Sequence, residues 1–441
     1  MIEEESKNPI SVTGKVLITG ATGFIGSHIA KALYNRGYRV VACVRDEQLA
    51  IRLNPDIDYI KCNFADDSKV EVWLPRLAGV DVIINAVGII TESSSGTFQS
   101  VHTDTPKALF DACKLSGVKH VIQISALGVS GESNTSYNNT KKEADDYLLS
   151  LGIHAIVLRP SWLYGKNSQS FELLSAFSAL PFIPVVGNGE YKVQPIYIED
   201  FASAVAILVE DNSLDGDVVE VGGVEKISIK NIHKLLCEWL GLKTIHFLKT
   251  PEWFVKIFVK LGDYVFKGPI NTASFDMLTR NNITDDNRLW KATKIIPNHM
   301  KYVLSQYPAS KQEQLSARLF FAMPLLRYSL AFLWLATAII TGFLTPKIEA
   351  MQLFFEAKII GNTANILFYS SLIVDFLLGL SLLFNYRLRF WGIFQIILII
   401  FYTLFISVFS PHWWLHPYGA IIKNIPIIAA TIIVIAVSRS R

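Results

Sequence analysis

Tyr137 and Lys141 stand four residues apart in Tyr137-Asn138-Asn139-Thr140-Lys141. On a helix that spacing puts a phenol and an ammonium on one face. A phenol so placed can exchange a proton with a substrate hydroxyl or carbonyl, and the neighbouring cation is expected to lower its pKa. A second group of residues binds rather than reacts. Lys15-Val16-Leu17-Ile18-Thr19 reads as a buried strand that turns through Gly20-Ala21-Thr22-Gly23 into a helix starting near Phe24, followed by Ile25 and Gly26. Such a turn presents backbone N–H groups and the positive helix end to a pyrophosphate, and glycines let it approach. The spacing is G-x-x-G-x-x-G, a variant of the usual dinucleotide pattern. Together the two groups imply proton exchange beside a bound dinucleotide.

The elements that must position these residues follow from the apolar pattern. Short apolar strands at 15–19, 39–44, 57–61, 81–85, 119–124 and 154–158 alternate with helices beginning near Phe24, Lys69, Thr103 and Ser136. That alternation predicts a doubly wound parallel sheet of the Rossmann type, an α/β fold with crossover helices. Arg45 ends the second strand about twenty residues past the last glycine, where a residue reads the adenosine ribose. An arginine there suits a 2′-phosphate through a charge-assisted fork and points to NADP(H); a solvated arginine beside Asp46 is the plainer reading. Asn63 follows the third strand, and its amide oxygen can accept a hydrogen bond. Asn85-Ala86-Val87-Gly88 ends the fourth strand in small side chains.

The segment Gly20–Gly26, read as GATGFIG, resembles the short-chain dehydrogenase/reductase superfamily in its extended and atypical, epimerase/dehydratase-like branches. The resemblance runs from about Val16 to about Leu304. It implies that Gly20, Thr22, Gly23, Phe24, Ile25 and Gly26 hold the diphosphate, that Asn63 and Phe64 lie at the adenine, and that Ala86 and Gly88 pass under the ribose. In the family the position of Asn63 is the first acid of D-x-x-D. Tyr137 and Lys141 match the Y-x-x-x-K, with Lys141 also bonding the ribose. Leu158-Arg159-Pro160-Ser161-Trp162-Leu163-Tyr164-Gly165 matches R-P-x-x-x-Y-G, which implies that Pro160 and Leu163 turn beneath the nicotinamide. Gln194 to Asp200 matches a stretch lining the substrate cleft. Two positions depart from the pattern. Ser125-Ala126 stands where a Ser-Ser or Ser-Thr pair is usual, so Ser125 is the candidate orienting hydroxyl. His102 stands near a usual asparagine, either as a proton relay or as a half-exposed helix histidine. The I-S-A-L-G stretch is nearer the atypical branch, which includes an NADPH-holding accessory subunit of respiratory complex I.

The 441 residues suggest two or three domains, and a net charge of +3 gives no case for nucleic acid. Cys43, Cys62, Cys113 and Cys237 have no metal spacing and read as thiols in a reducing compartment. The acidic start, Met1 to Ser6, lacks an apolar stretch, so no signal peptide is expected and the soluble part is expected in the cytosol. Charge becomes scarce after Arg318. Four apolar stretches follow, about 327–344, 365–384, 390–409 and 420–437, each near the roughly twenty residues that cross a bilayer. Arg318, Arg327, Arg387, Arg389, Arg439 and Arg441 flank one side, with Lys347, Lys358 and Lys423 on the other. Positive charge gathers on the cytoplasmic side, so both termini are expected in the cytosol of a multi-pass inner-membrane protein. Asp375 lies midway along the second stretch, where an acid faces a partner or a polar cavity. His412 and His416 read as interfacial polar groups rather than metal ligands. Trp334 to Val437 resembles the DoxX-like four-helix membrane family.

The expected plan is a tail at 1–12, an NAD(P)-binding domain at 13–310 with a substrate lobe mainly at 165–200 and 222–310, and a membrane domain at 318–441. Residues 251–261 form an amphipathic helix that either lies on the bilayer or caps the pocket. The function this suggests is an NADP(H)-dependent oxidoreductase anchored in the bilayer, with NAD(H) as the other cofactor, acting on a small-molecule, lipid-linked or quinone-like substrate. A non-catalytic NADPH-binding scaffold or sensor and a nucleotide-sugar epimerase or dehydratase are the alternatives. Protein partners are left open, the scaffold alternative having the membrane part bind them.

Overall fold

A computed structural model describes residues 14–53, 57–92, 96–129, 135–243, 245–265, 270–417 and 419–438. The tail 1–12 and Arg439 and Arg441 lie outside these residues. The chain divides into two compact units, 1–317 and 318–441.

The first unit is built on seven parallel strands: β1 (Lys15–Thr19), β2 (Arg39–Val44), β3 (Asp58–Lys61), β4 (Val82–Asn85), β5 (His120–Ile124), β6 (Ala155–Pro160) and β7 (Val218–Val221). Their order across the sheet is β7-β6-β5-β4-β1-β2-β3, with every pair parallel. The strands are apolar on both faces because helices cover both. Helix α1 (Phe24–Asn35) buries Gly26, Ile29, Ala30 and Leu33, an i, i+3, i+4, i+7 stripe, on one side. On the other side lie α2 (Thr105–Ser116) and α3 (Ser136–Ser150), in a core that also holds Trp73, Leu109, Phe110 and Leu148. The six expected strands are all present, within two residues at each end. The seventh, Val-Val-Glu-Val, is an addition; it alternates half-buried and buried, too short a pattern to stand out. The helix expected near Thr103 begins two residues later, because Gln99–Asp104 winds as a π-helix first.

At the carboxyl ends of three adjacent strands, Thr19 Oγ1 donates to Asn85 Oδ1, and Asn85 Nδ2 donates to Gln123 Oε1 at 2.7 Å. All three side chains are buried. The lobe beyond β6 is made of short strand pairs, 183–186 with 247–250 and 192–193 with 227–228, and of helices. Its amphipathic helix α4 (Glu252–Val265) precedes α5 (Thr272–Thr279).

In the second unit, α6 (Lys311–Ile339) starts before the boundary and continues as a π-helical turn to Leu344. It is followed by α7 (Gly361–Leu383), α8 (Leu388–Phe409) and α9 (Asn424–Val437). Three of these are long and apolar enough to cross a membrane. The fourth expected span is shorter than 420–437: its 14 helical residues reach about 21 Å. Lys423 stands at its N-cap, and 420–422 form turns.

Replacing Asn85 by Leu leaves Thr19 Oγ1 and Gln123 Oε1 buried without their partner. The expected cost is about 2 kcal/mol or more, read as earlier thermal unfolding of the detergent-solubilised chain, with Val82→Ile as a packing control.

Candidate active site

The cradle lies where β1 passes into α1. Gly20 has φ +69°, and a Cβ built there would lie 2.8 Å from the Ala86 carbonyl oxygen. A Cβ at Gly26 would lie 2.3 Å from the Gly20 carbonyl oxygen. Glycine is therefore required at both. Gly23 caps α1 in an extended conformation without a side-chain bond. The N–H groups of Phe24, Ile25 and Gly26 thus lack intrahelical acceptors and sit at the positive end of the helix. Thr22 and Gly23 are exposed. A space that side chains would fill, edged by free donors, fits a diphosphate.

The strand ends extend this cradle. Ala86 N–H donates to Thr19 O at 3.3 Å, and Gly88 brings the chain past Lys141. A Cβ at Gly88 would lie 3.4 Å from Lys141 Nζ and 3.8 Å from His102 Nε2. Arg45 directly follows β2 and is exposed. Asn63 is used inside its own turn: its Oδ1 accepts from Ala65 N–H at 3.3 Å and its Nδ2 donates to Asp66. Phe64 turns its ring into the core, edge-on to Trp73, and its carbonyl accepts from Thr105 Oγ1 at 2.8 Å. Pro160 and Leu163 are buried, and Pro160 O accepts from Leu127 N–H at 2.9 Å.

The reactive pair is set by α3. Thr135 caps this helix through Asn138 N–H. Tyr137, Lys141 and Asp145 then fall at i, i+4 and i+8 on its buried face. Lys141 Nζ is 5.8 Å from the Tyr137 ring centroid. Burial pushes the Tyr137 phenol up, and the Asp145 charge adds to the effect. The lowering expected from the ammonium does not prevail, because desolvation at this depth penalises a phenolate more. Burial pushes the Lys141 ammonium down, with Asp145 opposing.

Asp145 is the residue that sequence reasoning missed. Ser125 Oγ donates to its Oδ2 at 2.7 Å, and Arg159 approaches the same oxygen through Nε at 3.1 Å and Nη2 at 3.0 Å. Burial pushes the Asp145 carboxyl up, against the pull of Arg159. The signal was available as a third polar residue at helical spacing after Tyr137 and Lys141. Ser125 thus directs its proton at Asp145, one turn of α3 beyond Lys141.

His102 is not a half-exposed helix histidine. It is buried in the π-helical segment, edge-on to Tyr137 at 5.3 Å and stacked on Phe98 at 5.4 Å. Ile89 N–H donates to Nε2 at 3.0 Å. Nδ1 lies 3.2 Å from Thr140 Oγ1, whose own proton goes to Ser136 O, so the network assigns the proton to Nδ1. Burial, then Lys141, pushes its pKa down to about 2. It is a neutral wall beside Tyr137, too weak a base to relay protons near neutrality.

Residues 16–222 match the NAD dependent epimerase/dehydratase family, and residues 331–432 match the DoxX-like family. An epimerase/dehydratase-type domain at 16–222 is followed by a DoxX-like domain at 331–432. Relatives of the first part include the mitochondrial NADH dehydrogenase [ubiquinone] 1 alpha subcomplex subunit 9 of Arabidopsis thaliana, 26% identical over 66% of this chain and 76% of that protein. The ceramide reductase of Caulobacter vibrioides is 29% identical over 43% of this chain and 59% of that protein. Among solved structures, an NADPH-dependent quinone oxidoreductase of Escherichia coli, complexed with NADPH, shares the fold with a TM-score of 0.52. It is 22% identical and covers 66% of this chain and 99% of its own.

The Asp145 carboxylate holds the Lys141 proton, so its neutralisation lets that proton leave at lower pH. In Asp145→Asn the alkaline limit of NAD(P)H binding moves to lower pH, measured by fluorescence titration of the full chain. The unpaired Arg159 also costs about 3 kcal/mol of stability. An alkaline limit identical to that of the native chain contradicts the coupling.

Proposed function

We propose that this chain is an NAD(P)H-dependent oxidoreductase, anchored in a bilayer, that interconverts a carbonyl and an alcohol on a lipid-linked substrate. The observation that carries it is the buried Tyr137–Lys141 pair, with Lys141 beside Gly88, two residues past the Ala86 that abuts Gly20 of the cradle. A bound reduced nicotinamide supplies the hydride. Tyr137 donates the proton to the developing alkoxide, and its raised pKa keeps it protonated and ready for reduction at neutral pH. Lys141 holds the ribose and stabilises the phenolate left behind. Ser125 and Arg159 fix Asp145, which sustains the charge on Lys141. Exposed Arg45 favours NADP(H) over NAD(H), through a fork on the 2′-phosphate.

A lipid-linked substrate is supported by α4, which exposes Trp253, Phe254, Ile257 and Phe258 with Lys256 and Lys260. Its neighbour α5 is tied to the cleft: Asn271 Nδ2 donates to Ile90 O at 3.2 Å, two residues from Gly88. The ceramide reductase relative favours the same class. Arginine-rich flanks of the apolar helices favour a reductase domain in the cytosol of an inner-membrane protein.

A second reading, a scaffold that holds NADPH without turnover, draws on Ser125, whose proton is engaged, on Ala126 beside it, and on the complex I relative. Tyr137→Phe separates the two. The oxidoreductase reading expects reduction of a detergent-dispersed N-acyl 3-ketosphinganine to fall by about 10²–10⁴ with NADPH still retained. A native protein that never oxidises NADPH with lipid carbonyl or quinone substrates supports the scaffold.

Trp253→Glu with Phe258→Glu is expected to raise KM for a vesicle-embedded substrate by about tenfold while NADPH affinity stays unchanged. Assays with vesicles and with a short-chain soluble substrate check it.

A further inference from the structure

The interior of the second unit is apolar apart from a few polar side chains, three of which share one level. Two close helix crossings set the register. A Cβ on Gly379 of α7 would lie 2.5 Å from Leu335 Cγ of α6, and one on Gly392 of α8 would lie 2.5 Å from Ile435 Cγ1 and 3.7 Å from Thr431 Cγ2 of α9. Small residues let helices approach this closely in a membrane. α7 and α8 are joined through residues 384–387. Asp375 lies eight residues before the end of α7, and Gln395 seven residues after the start of α8. In an antiparallel pair those positions lie at about one height. Thr431 sits on α9 across from Gly392, one turn from Gln395. Asp375 is also within electrostatic reach of Tyr402 on α8.

These three side chains are 8%, 0% and 0% exposed. Asp375 Oδ1 and both ends of the Gln395 amide have no hydrogen-bond partner among the described residues. Thr431 Oγ1 donates to Ile427 O at 2.8 Å and keeps a lone pair. An amide buried with both ends open is costly in hydrocarbon and is normally satisfied. A bare cation would engage Asp375 Oδ1 and Gln395 Oε1 but leave the Gln395 Nε2 donors open, and a hydrocarbon tail would engage neither end. What satisfies Gln395 and Asp375 together carries a donor and an acceptor on one uncharged group.

We propose that the Asp375–Gln395–Thr431 level of the membrane unit is a binding site for the uncharged head of an amphiphile bearing a hydroxyl or an amide. The site rests on the helical bundle alone and holds whether or not the first unit turns over. Its occupant is a ligand of the membrane unit, distinct from any nucleotide at the cradle.

The test uses the full chain in nanodiscs of dioleoylphosphatidylcholine, with radiolabelled N-hexanoylsphinganine and 1-monooleoylglycerol as probes. Saturable retention of either probe is expected. Both retained identifies the shared hydroxyl as the recognised group, and the sphinganine alone identifies the amide. Gln395→Leu weakens retention by about tenfold, and Asp375→Asn weakens it as well, with NADPH binding unchanged in both. Should Gln395→Leu fail to fold, Gln395→Asn, which keeps the amide but withdraws it, is expected to give the same loss. Probes that partition equally into discs of native and variant protein overturn the proposal. So does a Gln395→Leu chain that melts later with retention unaltered, which shows that the level holds only water.

Discussion

The site depends on one buried carboxylate and the three groups arranged around it. Asp145 has no exposure to solvent, and it is reached by the Ser125 hydroxyl from β5, by the Arg159 guanidinium from β6 and by the field of Lys141 on its own helix. A charge at that depth is tolerable only when paired and hydrogen-bonded. The same pairing fixes α3 against two strands, and α3 carries Tyr137. The position of the phenol is therefore a consequence of how a buried acid is neutralised.

The second constraint is steric. Gly20 and Gly26 are places where chain meets chain so closely that a Cβ has no room, whereas a Cβ at Gly88 would only touch Lys141. At Gly20 the neighbour is the Ala86 backbone, which means that the first crossover and the end of β4 are mutually fitted. A ligand lying across both would bridge two elements that already touch. His102 completes the enclosure from the side, as a neutral ring packed against both Phe98 and Tyr137.

Much of this was legible in the sequence because it is written in local periods. The strand positions, the glycine turn and the Tyr137–Lys141 spacing each lie within about a dozen residues. What escaped depends on depth or on distant partners. Asp145 continues the row of Tyr137 and Lys141, but an acid on a polar-looking helix gives no sign of being buried until β5 and β6 are in place. The direction of the Tyr137 pKa was misjudged for the same reason, since the sequence shows the cation and hides the desolvation. His102 was misplaced because the π-helical turn around it rotates the chain off the ordinary helical face. Asn63 was expected to face the adenine, yet its amide closes its own turn with Ala65 and Asp66. The fourth apolar helix begins late because a run of turns over 420–423 precedes it.

The chain of side-chain amides and hydroxyl through Thr19, Asn85 and Gln123 has a consequence for alignment. Side chains alternate faces along a strand, so a slip of one residue between β1, β4 and β5 would swing these three groups to opposite faces of the sheet. Such a slip would cost the apolar layers little warning, since both faces are hydrophobic and would accept Val or Ile equally well. The polar trio is what such a sheet has for telling correct pairing from its nearest error. It acts as a vernier, set at the end of the sheet where misalignment would separate the glycine turn from its neighbour.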